Sequence, residues 1–273
     1  MLKKVVAIHD LSGMGRCSLS VALPILSALK SQCCPFPTAI LSNQTGYPMY
    51  SFLDLTSEMN TYKNVWSNLG VEFDCIYSGF LGSKHQVDIV LEFINDNKNA
   101  FVVVDPVMGD NGSIYPIFDN DMCIKVKSLV KYADLITPNI TEALILLNED
   151  YSNIDLNINE IINIAKRLSD LGPKKVVITG ILDDDKIINL AYEKNTDSHY
   201  IIECDYNKIS YSGTGDIFTS IITGMIINGF SLYDSVKKAS EFIHKSVSYT
   251  SQFNTDRNDG VFFEMFLSDL ILQ

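Results

Sequence analysis

Phe101-Val102-Val103-Val104-Asp105-Pro106 decides how this chain folds. An unbroken apolar run rich in β-branched residues suits a strand buried on both faces of a parallel sheet. The run stops at Asp105, so a carboxylate stands at the strand's carboxyl end. The pattern recurs on either side. Val5-Val6-Ala7-Ile8 leads into the loop Asp10-Leu11-Ser12-Gly13-Met14-Gly15, and Cys75-Ile76-Tyr77 leads to Gly79 and Gly82. Leu135-Ile136 ends at Thr137-Pro138, and Lys175-Val176-Val177-Ile178 ends at Thr179. Helical periods fill the intervals over residues 18–30, 57–69, 84–95, 122–131, 141–147 and 159–171, with Pro24 set to kink the first. Residues 33–41 read as extended. Residues 187–192 and 200–203 read as a hairpin joined by Lys194-Asn195-Thr196-Asp197, after an acidic turn at Asp183-Asp184-Asp185. Helices start at Thr214 and Leu232, and residues 261–272 close the chain. Strand and helix alternate throughout, which predicts three α/β/α layers: a mostly parallel central sheet with helices on both faces. No composition shift, repeat or low-complexity segment divides residues 1–273, which read as one domain. The stretch between the first strand and Gly70 is too poor in strands to build a large lid domain.

The chain has 273 residues, 47% of them hydrophobic, enough for a substantial core. Its 33 acidic residues outnumber 21 basic ones, for a net charge of -12. Such a surface repels nucleic acid and anionic lipid, so neither is expected as a partner. A nucleotide is not excluded, because local N–H groups bind phosphate against the global field. The cysteines, Cys17, Cys33, Cys34, Cys75, Cys123 and Cys204, show no metal-binding spacing and read as reduced thiols in apolar segments. Cys33 and Cys34 would face opposite sides of a strand. The amino-terminal apolar stretch breaks at His9-Asp10, too early for a secretion signal, and no run approaches a membrane span; a soluble, cytoplasmic protein is expected. His9, His85, His199 and His244 form no i,i+4 pair and read as surface or satisfied polar residues.

Ligands of open α/β sheets bind outside the carboxyl ends of the strands. There stand Asp10, Asp105, Thr137, Asn139, Glu142 and Thr179, and the chain returns to Ser212-Gly213-Thr214-Gly215-Asp216. Glycines let the backbone turn tightly and approach a ligand. A helix starting there directs free N–H groups and the positive end of its dipole outward, toward a phosphate. Asp216, in the first turn, can cap N–H groups or take a proton from a substrate hydroxyl. If these strands are parallel neighbours, their carboxylates line one edge and call for a cation such as nucleotide-borne Mg²⁺. Neither a Walker loop nor a Gly-x-Ser-x-Gly elbow is present. Each of these residues alone fits a turn or a cap; together they favour a nucleotide site.

Those residues resemble the ribokinase superfamily, and within it the pyridoxal kinases. Gly213-Thr214-Gly215-Asp216 is similar to its Gly-Thr-Gly-Asp signature, and Asn139-Ile140-Thr141-Glu142 to its Asn-x-x-Glu motif. Asp105-Pro106-Val107-Met108-Gly109-Asp110 matches its Asp-Pro-Val-Met/Leu-Gly block, and Ser42-Asn43-Gln44-Thr45-Gly46-Tyr47 a segment that holds the pyridine ring. The order and spacing hold over nearly the whole chain. The resemblance implies a ribokinase-like fold and a cytoplasmic, homodimeric enzyme. It would move the γ-phosphoryl group of ATP to the 5′-hydroxymethyl group of pyridoxal, pyridoxine or pyridoxamine. It implies Asp216 as the base and the amides of Gly213, Thr214 and Gly215 as the anion hole. Asn139, Thr179 and Thr214 would contact ATP. Asp105 and Glu142 would organise Mg²⁺, and Thr137 with Asp105 would hold a monovalent cation such as K⁺. Asp10, Ser12, Thr45 and Gly46 would surround the vitamer, with Phe80 stacking where relatives often have tyrosine. The chain departs from the pattern at His9-Asp10-Leu11, where Gln-Ser-His is common, and at Gln44, where histidine is usual. Residues 110–115, with Gly109 before them and Gly112 among them, are a candidate flap. A hydroxymethylpyrimidine kinase of thiamine synthesis is the alternative, although its signature usually has cysteine in place of Asp216. A non-catalytic sensor of nucleotide or vitamer is a second alternative, which would need no base.

Overall fold

The computed structural model of the protein describes residues 2–151 and 157–272. Its centre is a nine-stranded sheet whose strands, numbered along the chain, lie in the order β11-β10-β9-β8-β5-β4-β1-β2-β3. The parallel core comprises β1 (Lys3–Ser12), β2 (Ser31–Leu41), β4 (Cys75–Ser78), β5 (Phe101–Val104), β8 (Leu135–Ile136) and β9 (Lys175–Asp183). β3 (Phe52–Asp54) joins one edge antiparallel; β10 (Lys186–Glu193) and β11 (Ser198–Asp205) extend the other.

Alternate residues of each strand feed two cores. Val6, Ile8, Ile76, Val102, Val104, Val176 and Ile178 pack under α2 (Thr56–Asn68), α3 (Lys84–Asp96), α4 (Asn120–Val130), α5 (Ile140–Leu147) and α6 (Ile158–Ser169). Val5, Ala7, Cys75, Tyr77, Val103, Leu135 and Val177 pack under α1 (Ser18–Ala28), α7 (Thr214–Ile227), α8 (Leu232–Thr250) and the 3₁₀ segment Phe263–Leu270. Both faces being covered, the central strands have no polar face, which is why their sequences show none. Cys33 and Cys34 pack against opposite cores, as expected for neighbours on a strand, and all six cysteines are free thiols.

Several details depart from the sequence reading. β1 runs on through Asp10 and Leu11 to Ser12, because β2 is long enough to pair with it past an irregularity between His9 and Leu11. α1 continues through Pro24. Pro35 and Pro37 sit inside β2, where β3 reaches only Ala39–Leu41 and leaves their outer side unpaired. Residues 109–115 are no open loop: β6 (Gly109–Asp110) and β7 (Ser113–Ile114) form a small hairpin. The acidic run turns β9 into β10, with Asp184 left-handed at φ 50°.

Candidate active site

The carboxyl ends of β1, β4, β5 and β8 meet the first turns of α7, and the end of β9 adjoins that of β8. Gly213 caps that helix in a left-handed conformation, φ 79°. A Cβ there would overlap the carbonyl of Arg16, so only glycine fits. Gly215 differs: no atom lies within 4 Å of where its Cβ would stand. Gly215 is exposed, and the first-turn N–H groups have no intrahelical acceptor. Thr214 turns its hydroxyl back to the carbonyl of Tyr211, at 3.2 Å.

Asp216 Oδ2 accepts the backbone N–H of Ser18 at 2.9 Å, tying α7 to the start of α1. Burial raises its carboxyl to about 7; the Ser18 bond lowers it and the charge of Asp10 adds to the rise. Asp10 itself is buried, accepting the hydroxyls of Ser18 at 2.6 Å and Ser12 at 2.8 Å. His9 overturns its sequence reading. It is fully buried, and neither ring nitrogen has a hydrogen-bond partner among the described residues. Desolvation lowers it to about 3, so the imidazole is neutral.

Asp105 lies buried at the end of β5, its carboxyl raised by desolvation and by the charge of Asp216, while the hydroxyls of Thr137 and Thr219 oppose the rise. Thr219 of α7 donates to Thr137 Oγ1 at 2.9 Å. Glu142 is buried too, raised by desolvation and by Asp105. Both its oxygens hold backbone: Oε2 takes the N–H of Asn139 at 2.9 Å and Oε1 that of Met108 at 3.1 Å. Asn139 reciprocates through Oδ1 to the Glu142 N–H at 2.9 Å and donates from Nδ2 to the Gly109 carbonyl at 2.8 Å. Asn-x-x-Glu is therefore a capping box that also pins the β6–β7 hairpin. Thr179 adjoins it, bridging Asn139. Among the described residues no three His, Cys, Asp or Glu side chains are grouped to hold an ion. Asp105 suits a cation, since its neighbours are the carboxylates of Asp216 and Glu142 and two hydroxyls; each Glu142 oxygen holds one backbone N–H.

On the other flank, Gln44 Oε1 accepts the N–H of Gly46 at 2.8 Å, and its Nε2 donates to Asn258 Oδ1 at 2.9 Å. Tyr47 donates its hydroxyl to Asp259. Arg16 donates to the Asp259 carbonyl at 2.9 Å and to Glu264 at 2.6 Å, its guanidinium over the Phe262 ring. The loop bearing Thr45 and Gly46 is thus buttressed by residues 256–264. Phe80, past β4, lays its ring against Phe118 at 5.9 Å. Sequence reasoning missed Arg16, Ser18, Thr219, Asn258 and Asp259. Their partners lie elsewhere in the chain, and no local motif marks them.

The family model described as phosphomethylpyrimidine kinase matches residues 25–261. The chain belongs to the phosphomethylpyrimidine kinase family. Among solved structures, this family member is similar to a candidate phosphomethylpyrimidine kinase from Bacteroides thetaiotaomicron. They share 43% identity and a TM-score of 0.95 over 100% of this chain and 96% of that one, in a crystal form with pyridoxal. It is also similar to the pyridoxal kinase of Lactobacillus plantarum: 28% identity and a TM-score of 0.91, covering 99% and 97% of the two chains. A candidate pyridoxal kinase of Schizosaccharomyces pombe is 27% identical over 81% of this chain and 75% of its own length. The chain spans 65% of the length of the hydroxymethylpyrimidine/phosphomethylpyrimidine kinases it matches. The pyridoxal-kinase resemblance and the ribokinase-like α/β fold both hold for this family member. Among its described residues no helix is long and apolar enough to cross a membrane.

Proposed function

We propose that this chain, working as one kinase domain over residues 1–273, transfers the γ-phosphoryl group of ATP to the 5′-hydroxymethyl group of a vitamin B6 vitamer. The observation that carries the reading is the placement of Asp216, in the first turn of α7 beside the exposed Gly215, with Oδ2 fixed by the Ser18 N–H and its pKa lifted by burial to about 7. A base works best when its pKa lies near the working pH. The substrate O–H bond breaks as the O–P bond forms; the proton goes to Asp216, and the γ-phosphorus parts from the bridging oxygen, releasing ADP. The amides of Gly213, Thr214 and Gly215 would bind the charge on the phosphoryl oxygens. Asn139, Thr179 and Thr214 would line the nucleotide. Asp10, Ser12, Thr45, Gly46 and Phe80 would line the vitamer.

Bound Mg²⁺ would neutralise phosphate charge. Asp105 and Glu142 would meet it directly or through water, each Glu142 oxygen already holding one backbone N–H. Thr137 beside Asp105 would serve K⁺. The likeness to a structure crystallised with pyridoxal supports the vitamer. The family's own description supports the second reading, a hydroxymethylpyrimidine kinase. The deciding experiment follows ATP consumption with pyridoxal, pyridoxine, pyridoxamine and hydroxymethylpyrimidine, with and without Mg²⁺ and K⁺, for wild type and Asp216→Asn. Turnover on a vitamer that Asp216→Asn loses while still binding ATP is expected. Turnover on hydroxymethylpyrimidine alone would establish the second reading. Binding with no turnover would make the protein a sensor. We propose a homodimer as well, which light scattering at a single-chain mass would reject.

A further inference from the structure

His9 is the one histidine of this chain that the proposed chemistry leaves unused although it lies beside the base. It projects from β1 toward the layer holding α1 and α7, in a slot shaped to its ring. Tyr77 packs against it edge-on, with ring centroids 4.4 Å apart. Gly79 supplies the other wall: a Cβ there would overlap Cε1 and Nδ1 of the imidazole. Among the described residues neither ring nitrogen finds a hydrogen-bond partner in the slot. A neutral imidazole carries one N–H donor and one acceptor, and burying both unpaired costs free energy, so the pair calls for a functional explanation. The nearby charged group is Asp216, whose Oδ1 lies 3.9 Å from Nδ1. Its other oxygen, Oδ2, is already held by the Ser18 N–H. Oδ1 takes no hydrogen bond from the described residues, and it has lone pairs for two donors.

We propose that His9 is a positioning residue for the base. Its Nδ1–H donates to Asp216 Oδ1 when substrates draw the carboxylate in, leaving the second lone pair of that oxygen aimed at the incoming hydroxyl. The imidazole keeps its proton throughout; the substrate proton goes to Asp216. Gly79 belongs to the same device, because any side chain there would expel the ring. The inference rests on Asp216 being the base.

Two variants and one spectrum test it. His9→Phe fills the slot and removes the N–H; His9→Asn restores an amide donor. Assayed with ATP and pyridoxal, His9→Phe is expected to lower kcat about tenfold to a hundredfold, the scale of a misaligned catalytic group. KM for both substrates should stay within about twofold, because His9 has no place in binding. His9→Asn should recover most of the loss, and His9→Phe added to Asp216→Asn should lower turnover no further. A long-range ¹H–¹⁵N spectrum of the intact wild-type enzyme with ADP and pyridoxal should show His9 as the Nδ1–H tautomer. That signal should move in Asp216→Asn. An unchanged kcat in His9→Phe, multiplicative effects of the two substitutions, or an Nε2–H tautomer overturns the inference. Should His9→Phe fail to fold, the tautomer and His9→Asn still decide it. If Asp216→Asn keeps full turnover, the base reading itself falls; if it is inactive while His9→Phe is normal, only the role of His9 falls.

Discussion

Asp216 combines two demands that oppose each other. A base must ionise, yet this carboxyl is largely enclosed beside Asp10, and its pKa rises from 3.8 to about 7. Folding therefore favours its protonated form: the stability is present at low pH and is lost as pH climbs from the unfolded value through 7. At about 1.4 kcal/mol per pKa unit, the ionised site costs on the order of 4 kcal/mol at most above pH 7. Asp216→Asn should accordingly be more stable than wild type at pH 8, by up to a few kcal/mol, with the difference shrinking toward pH 5; urea midpoints at the two pH values measure it. Wild-type kcat/KM should rise with pH through about 7 as the free enzyme loses that proton. A fall across the same range would refute the assignment. The two glycines nearby should part company. Gly213→Ala, forced against the Arg16 carbonyl at positive φ, should unfold the helix start and lower the melting temperature by several degrees. Gly215→Ala meets open space, so it should melt like wild type while raising KM for ATP.

At the scale of elements, the paired motif at the start of α5 does its visible work on backbone. Asn139 caps α5 and reaches the Gly109 carbonyl, so it holds helix and hairpin together. Asn139→Ala should cost about 1–2 kcal/mol through the lost cap and quicken amide exchange over residues 109–114; an unchanged exchange rate would separate hairpin from helix. The central strands and the helices were legible because each is a local pattern: an unbroken apolar run, or apolar residues at helical spacing. β3 was not, because Phe52-Leu53-Asp54 is exposed along its length and pairs with β2 only through backbone. The β6–β7 hairpin was missed for the same reason: its two-residue strands carry no period. His9 was misjudged because nothing in its neighbours along the chain says that Tyr77 and Gly79 enclose it.

At the scale of the molecule, the site is closed by the far end of the chain. Arg16 joins Asp259, Glu264 and the Phe262 ring, while Gln44 and Tyr47 grip Asn258 and Asp259. Arg16→Ala should remove about 1 kcal/mol, since water screens its bond to the half-exposed Glu264, and loosen residues 256–264. Vitamer KM should rise with little change in KM for ATP; equal rises would place this segment over both ligands instead. Gln44 shows why a departure from a motif need not be a loss: its amide reaches its own loop and the carboxyl-terminal segment at once. The sequence by itself determined the layered class and the polar residues at the strand ends, because burial on both faces writes an apolar run into each strand and ends it where solvent begins. It also marked the glycine turn before α7, a property of a few adjacent residues. Only the tertiary structure decided that Asp10, Asp105 and Asp216 share one edge, that Glu142 spends both oxygens on backbone, and that His9 lies beneath the base. Strand order sets those distances, and strand order follows from how the whole sheet packs between its two helical layers.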